Sequence, residues 1–190
     1  MRHLRLTRPL TFFDLETTGV DPENDRIVQI AMIRVEPGGA RQTFETLVNP
    51  ERPIPPQATA VHGITDSDVR AQPVFAKIRA DVERLLTGSD LAGYNSIRFD
   101  APLLMNELRR AGSELDLRGA RHVDAMVIFK MMEPRNLTAA YRKYCDKDLV
   151  NAHSALADTE ATLEILDAQV AFYDAVPDEV DALHVLCNPD

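Results

Sequence analysis

The apolar and polar positions divide the chain into stretches of two different periods. PLTFFD at 9–14 predicts a first strand that ends on an acidic residue. A turn-rich loop follows at 15–25, with Gly19 and an Asp-Pro pair. RIVQIAMIRV at 26–35 alternates and is rich in β-branched residues, which predicts a second strand. EPGGA at 36–40 is a hairpin turn, and RQTFETLV at 41–48 returns as a third strand, so the first three form an antiparallel meander. NPERPIPPQ at 49–57 carries four prolines and reads as a rigid extended crossing, and HGITDSDV at 62–69 as a loop leading into a short helical turn.

Further along, the helical period dominates. Val74, Phe75, Ile78, Val82, Leu85 and Leu86 share one face of a helix over 73–87, which Gly88 stops. Residues 90–94 predict a fourth strand, APLLMNELRRAG a helix ending at Gly112, and 120–124 a short fifth strand. Helical patterns occupy about 125–132 and 137–145. One long amphipathic helix fills 151–175 after its opening turn, and a short one at 178–187 follows Pro177. Strands four and five each follow a helix, so right-handed crossovers set them parallel to the first strand. The expected fold is α/β, a mixed five-stranded sheet flanked by helices. Residues 1–176 are expected to form one domain, with 177–190 a helical tail packed on it.

Composition narrows the setting. Apolar residues make up 45% and charged residues 27% of 190, ordinary values for a globular protein. Apolar runs stay short of the ~20 residues that span a bilayer. The N-terminus lacks the apolar core and small-residue site of a signal peptide. Cys145 and Cys187 show no CxxC spacing. A reduced, cytoplasmic protein without a cysteine metal site or membrane span is expected. The net charge of −9 works against gripping long nucleic acid by counterion release. Two accounts stay open: local engagement at a chain end through metal ions, or clustering of Arg98, Arg109, Arg110, Arg118 and Arg121 within 98–121.

Three segments carry candidate chemistry. Asp14 and Glu16, two apart on extended chain, project to the same face, where their repulsion is relieved by cations such as Mg²⁺ or Mn²⁺. A solvated turn explains the pair alone equally well. Thr17, Thr18 and Gly19 follow directly, in a turn that lets a phosphate approach the backbone. In Gly93–Asp100, Asn95 is suited to tying down a loop and Phe99 to stacking or core packing. Asp100 reads either as a site carboxylate or as the cap of the next helix. His153 precedes Asp158 by five residues at the mouth of the long helix; a histidine there suits proton abstraction at neutral pH, or is simply structural. The acidic residues of the first and fourth strands fall at the sheet end where open α/β sheets place ligands.

Together, the Asp-x-Glu with its trailing TTG, the N…FD segment and His-x-Ala-x-x-Asp resemble, in order and separation, the DEDDh family of 3′→5′ exonucleases. That family includes the polymerase III proofreading subunit, ribonuclease T, oligoribonuclease and exonuclease I. The likeness runs from roughly residue 10 to 172 and takes in IVQIAMIRV and the HGIT loop at 62–65. It implies a ribonuclease H-like fold and two divalent cations, Mg²⁺ or Mn²⁺, held by Asp14, Glu16, Asp100 and Asp158. His153 becomes the general base, and Thr17, Thr18, Gly19, His62 and Phe99 hold the terminal nucleotide. For His62, fixing its own proline-rich loop is an equal reading.

One segment departs from the proofreading spelling HNAxFD: Tyr94 replaces its histidine, and one extra residue separates Asn95 from Asp100. GYNSIRFD is nearer to exonuclease I. The implied activity is 3′→5′ hydrolysis of single-stranded DNA or short oligonucleotides, releasing nucleoside 5′-monophosphates. The competing reading is a proofreading-type or adaptor subunit that acts through a protein partner. The apolar stripe of Val180, Leu183, Leu186 and Cys187 is its sequence support, and homodimerisation stays open.

Overall fold

Strand β1 (Leu10–Thr17) shows why the acidic pair is where it is. Thr11, Phe13, Leu15 and Thr17 are buried, whereas Phe12, Asp14 and Glu16 on the alternate face keep contact with solvent. β1 runs antiparallel to β2 (Ile27–Val35), from Leu10 opposite Val35 to Thr17 opposite Ile27, with an irregularity between Glu16 and Thr17. β2 in turn pairs with β3 (Arg41–Leu47). The first strand therefore continues three residues past its expected end at Asp14. Leu15 and Thr17 have buried faces to fill and partners on β2, which outweigh the turn-forming residues that follow. The computed structural model describes residues 3–150, 152 and 154–188.

On the other side of β1, β4 (Asp90–Gly93) and β5 (His122–Asp124) add in parallel, giving the order β3-β2-β1-β4-β5. This is the mixed sheet, with strands one, four and five parallel, that the crossover rule predicts. Between β3 and β4 lie α1 (Pro56–His62), α2 (Asp66–Val69) and α3 (Phe75–Leu86). α4 (Asp100–Arg110) joins β4 to β5. Helix α1 was not expected. It begins at Pro56, whose missing N–H costs nothing at a first helical position, so the proline-rich crossing ends in a helix.

Phe13 and Leu15 of β1, Ile30 and Met32 of β2, Ile78, Val82 and Leu85 of α3, and Leu103, Leu104 and Leu108 of α4 form one buried cluster. A smaller cluster joins Val28 to Ile54, Ile64 and Val69 beneath α1 and α2. The end of α3 is satisfied by side chains: Thr11 Oγ1 donates to the Leu85 carbonyl (2.8 Å) and Arg34 Nη1 to the carbonyls of Leu85 and Thr87 (2.9 and 2.8 Å). These bonds fix the first strand against the helix that leads into β4.

By its internal contacts the chain divides into two compact units, Met1–Ile128 and Phe129–Asp190. Helix α5 (Ala125–Met132) runs from the first into the second. The second unit holds α6 (Leu137–Cys145), α7 (Ala155–Phe172) and α8 (Val180–Cys187), with α6 packed against α7. The long helix expected over 151–175 is α7, but it is not cleanly amphipathic. Leu156, Leu163, Leu166 and Phe172 are exposed, while Ala161 and Ile165 are buried. Among the described residues no helix is long and apolar enough to cross a membrane.

Candidate active site

Asp14 and Glu16 share one face of β1, as their spacing requires. The third carboxylate, Asp100, is the first residue of α4 and only 6% exposed. The cap of that helix is Phe99, with no side-chain cap bond, so Asp100 does not serve as its N-cap. Burial pushes the Asp100 carboxyl up to about 6, and the negative charges of Asp14 and Glu16 add to the effect. The backbone N–H groups of Asp100 and Leu15 pull the other way. Three carboxylates from two elements therefore lie close enough to feel one another.

Asp158 occupies the first turn of α7 in the second unit. Its backbone N–H donates to the Ser154 carbonyl (2.9 Å), and its carbonyl accepts from Thr162 Oγ1 (2.7 Å). Its Oδ1 is shielded from water with no hydrogen-bond partner among the described residues. A buried orphan oxygen of this kind costs on the order of 1–3 kcal/mol, so it suits a cation ligand better than a helix cap. His153 lies outside the described residues.

The loop after β1 closes on itself. Thr17 Oγ1 donates to the Gly19 carbonyl (2.6 Å), and Thr18 Oγ1 donates to Asp25 Oδ1 (2.7 Å). A Cβ on Gly19 would meet Asp25 Oδ2 at 2.5 Å, so a side chain there would displace the Asp25 carboxylate from its bond to Thr18. Both hydroxyls thus organise the turn itself, and Gly19 lets it close. His62 does double duty. Its Nδ1 accepts from the Ile64 N–H (3.0 Å), which assigns the proton to Nε2, 3.2 Å from the Thr17 carbonyl. It fixes its own loop and joins that loop to the end of β1. Phe99 is half-buried and packs against the main core.

Sequence reasoning missed the groups that hold these loops. Glu107, only 1% exposed, accepts from Arg26 Nε (2.5 Å) and Arg110 Nη1 (2.6 Å). Arg110 also reaches the carbonyls of Asp25 and Glu23, and Asn106 Nδ2 that of Pro22 (2.9 Å), so α4 clamps the 17–26 loop. Asp124, 5% exposed, accepts from the N–H groups of Asn95 (2.9 Å), Ile97 (3.2 Å) and Met126 (3.0 Å). An arginine three residues after a glutamate looks like surface charge, and nothing in the sequence marks these positions as buried.

Four of the five arginines named within 98–121 have local partners. Arg110 is held by Glu107, Arg109 by the Asn106 amide oxygen, Arg118 by Asp116 and Arg121 by Asp90.

The donors at this site are carboxylate oxygens, which suit a hard divalent cation. Among the described residues no three of His, Cys, Asp or Glu are grouped tightly enough to form a metal centre outright. The fit is therefore one of chemistry: in the first unit, mutual repulsion among Asp14, Glu16 and Asp100 is what a cation would relieve.

A sheet of this order that carries an Asp-x-Glu pair on its first strand, with a third carboxylate opening the helix after the fourth, defines a ribonuclease H-like nuclease scaffold. The RNase_T exonuclease family matches residues 11–166, and the chain belongs to that family, in its DEDDh 3′→5′ branch. It is 38% identical over 162 residues to a DNA polymerase III subunit epsilon-like protein of Rhodobacter capsulatus, covering 82% of this chain and 23% of that one. An uncharacterised exonuclease of Escherichia phage 186 is 32% identical over 173 residues, covering 83% of this chain and 86% of the phage protein. Among solved structures, E. coli exonuclease I in complex with a dT13 oligonucleotide shares the fold. Its TM-score is 0.59 at 24% identity, over 85% of this chain and 40% of that one. The chain thus spans 23% and 45% of the two polymerase III epsilon-type relatives that it matches.

Proposed function

We propose that this chain is a 3′→5′ exonuclease that hydrolyses single-stranded DNA or short oligonucleotides from the 3′ end and releases nucleoside 5′-monophosphates. The observation that carries the reading is the convergence of Asp14 and Glu16 on one strand face with Asp100, whose carboxyl is pushed up to about 6 by burial and by the other two. Asp14, Glu16, Asp100 and Asp158 would hold two divalent cations, Mg²⁺ or Mn²⁺. When bound, such ions lower the pKa of water and stabilise the charge on a scissile phosphate. His153 takes the proton from the attacking water. Phe99 and the Thr17–Gly19 turn, held by His62, bound the place of the terminal nucleotide. Few phosphate contacts are needed for a chain end, which agrees with a net charge of −9. Both cysteines are free, in keeping with a reduced, cytoplasmic setting.

The test is digestion of single-stranded DNA and RNA of several lengths with Mg²⁺, Mn²⁺ or EDTA, with the products separated by chromatography. Metal-dependent release of nucleoside 5′-monophosphates is expected. Nucleoside 3′-monophosphates, or no product from any substrate with either metal, would sink the proposal.

Exposed apolar residues favour a second reading, a subunit that works through a protein partner or a second copy. Val180, Val185 and Leu186 of α8 and Leu156 and Leu163 of α7 lie open to solvent. Light scattering of the full chain against one lacking 177–190 distinguishes them: a change of mass favours the interface, and lost helicity a structural tail.

A further inference from the structure

The loop that delivers Asp100 is anchored by a buried anion that stands outside the proposed ligand set. Asp124 closes β5, next to β4, from which that loop departs. Among the described residues no cation pairs with it. Its charge is met instead by backbone N–H groups: those of Asn95 and Ile97 in the loop, and that of Met126 in the first turn of α5. Burial pushes its carboxyl up, but these N–H groups and that of Val127 outweigh burial and hold it below the usual carboxylate range. A carboxylate has acceptor positions for all of them. An amide of the same shape turns an NH₂ group toward one side of the set.

A second tie acts on the same loop. Ser96 is fully buried, and its Oγ shares a hydrogen bond with His122 Nε2 (2.9 Å). The Ser96 side chain fills the space that a Cβ on Gly93 would need. The Ser96 carbonyl accepts from the Ala101 N–H (2.8 Å), so the buried serine is bonded to the turn of α4 that carries Asp100. Between these points Asn95 takes a left-handed conformation, with φ at 61°. Asparagine tolerates that region better than most residues, and here it turns its backbone N–H toward Asp124.

We propose that Asp124 is a positioning residue for the exonuclease site: its carboxylate, aided by the Ser96–His122 bond, fixes residues 95–97 so that Asp100 is presented to Asp14 and Glu16 in a metal-binding arrangement. The proposal rests on the nuclease reading above. It separates Asp124 from a residue that merely stabilises the sheet, because loosening the loop lowers metal affinity as well as melting temperature.

The test compares the full-length wild type with Asp124→Asn, Ser96→Ala and, as a core control, Val82→Ala. Thermal melts are recorded in EDTA and across a Mn²⁺ series, and oligonucleotide hydrolysis is measured across the same series. Asp124→Asn is expected to raise the Mn²⁺ concentration giving half of the stabilisation, and half of the maximal rate, by about 10-fold. Ser96→Ala, a milder change that decides the matter if the first variant does not fold, shifts both in the same direction by about 3-fold. Val82→Ala lowers the melting temperature in EDTA and leaves both midpoints in place. Wild-type midpoints in Asp124→Asn, or in Ser96→Ala where only that variant folds, overturn the positioning role. A wild type that neither gains stability from Mn²⁺ nor cleaves oligonucleotides overturns the nuclease reading, and the positioning role with it.

Discussion

The carboxylates proposed as cation ligands fall in two compact units that are built differently. In the first, Asp14, Glu16 and Asp100 stand on elements whose opposite faces are fully buried, and each connecting loop is bonded to something rigid. In the second, Asp158 stands on a helix whose described buried residues are Ala161 and Ile165, with four large apolar side chains exposed. Preorganisation is thus uneven: the three carboxylates of the first unit have fixed places, and Asp158 depends on a more lightly packed support.

Substitutions sharpen that contrast. The largest effect is expected on activity. Asp14→Ala should cut hydrolysis on the order of 10³-fold without loss of melting temperature, because Asp14 is exposed and repelled by its neighbours. Steady-state kinetics beside a thermal melt check this. Next comes stability in the first unit. Glu107→Ala leaves Arg26 and Arg110 without their shared partner and should cost about 3–5 kcal/mol in urea unfolding. Loss of the 17–26 loop contacts should accompany it.

A smaller effect follows from Asp100. Its folded value of about 6 lies above its ordinary 3.8, so the native state binds the proton more tightly than the unfolded chain. In EDTA, stability is therefore full below about pH 4, falls as pH rises toward 6, and levels off above that. The total loss is at most about 3 kcal/mol. Asp100→Asn should flatten this slope, raising the metal-free melting temperature at pH 8 while abolishing hydrolysis. The smallest effect is expected at Leu163, 70% exposed on α7: Leu163→Ala should change stability by less than about 0.5 kcal/mol. A loss several times larger would show that this face is covered, and would weaken the contrast between the units.

These differences also explain how far the sequence could be read. Strand directions followed from short connections among the first three strands and helical crossovers before the last two, both local facts with a fixed geometric consequence. The acidic pair was legible because strand alternation puts Asp14 and Glu16 on one face wherever the strand ends. Its end was misplaced, since Leu15 and Thr17 are recruited by pairing with β2, a long-range effect. Helix α1 was hidden by prolines that look like breakers yet suit a helix start. Glu107 and Asp124 were invisible for a deeper reason. A buried carboxylate is distinguished only by the donors that fold around it, and those come from residues up to 81 positions away.

The proposed role of the acidic cluster on β1 and α4 is hydrolysis from the 3′ end. One oligonucleotide, labelled either at its 5′ or at its 3′ terminus, tests it most directly with wild type, Asp14→Ala and His153→Ala. The account predicts that with Mn²⁺ the 3′ label leaves at once as a mononucleotide, while the 5′ label descends a ladder, and that both variants and EDTA stop both processes. Release of the 5′ label first, or a wild-type rate in Asp14→Ala, would contradict it.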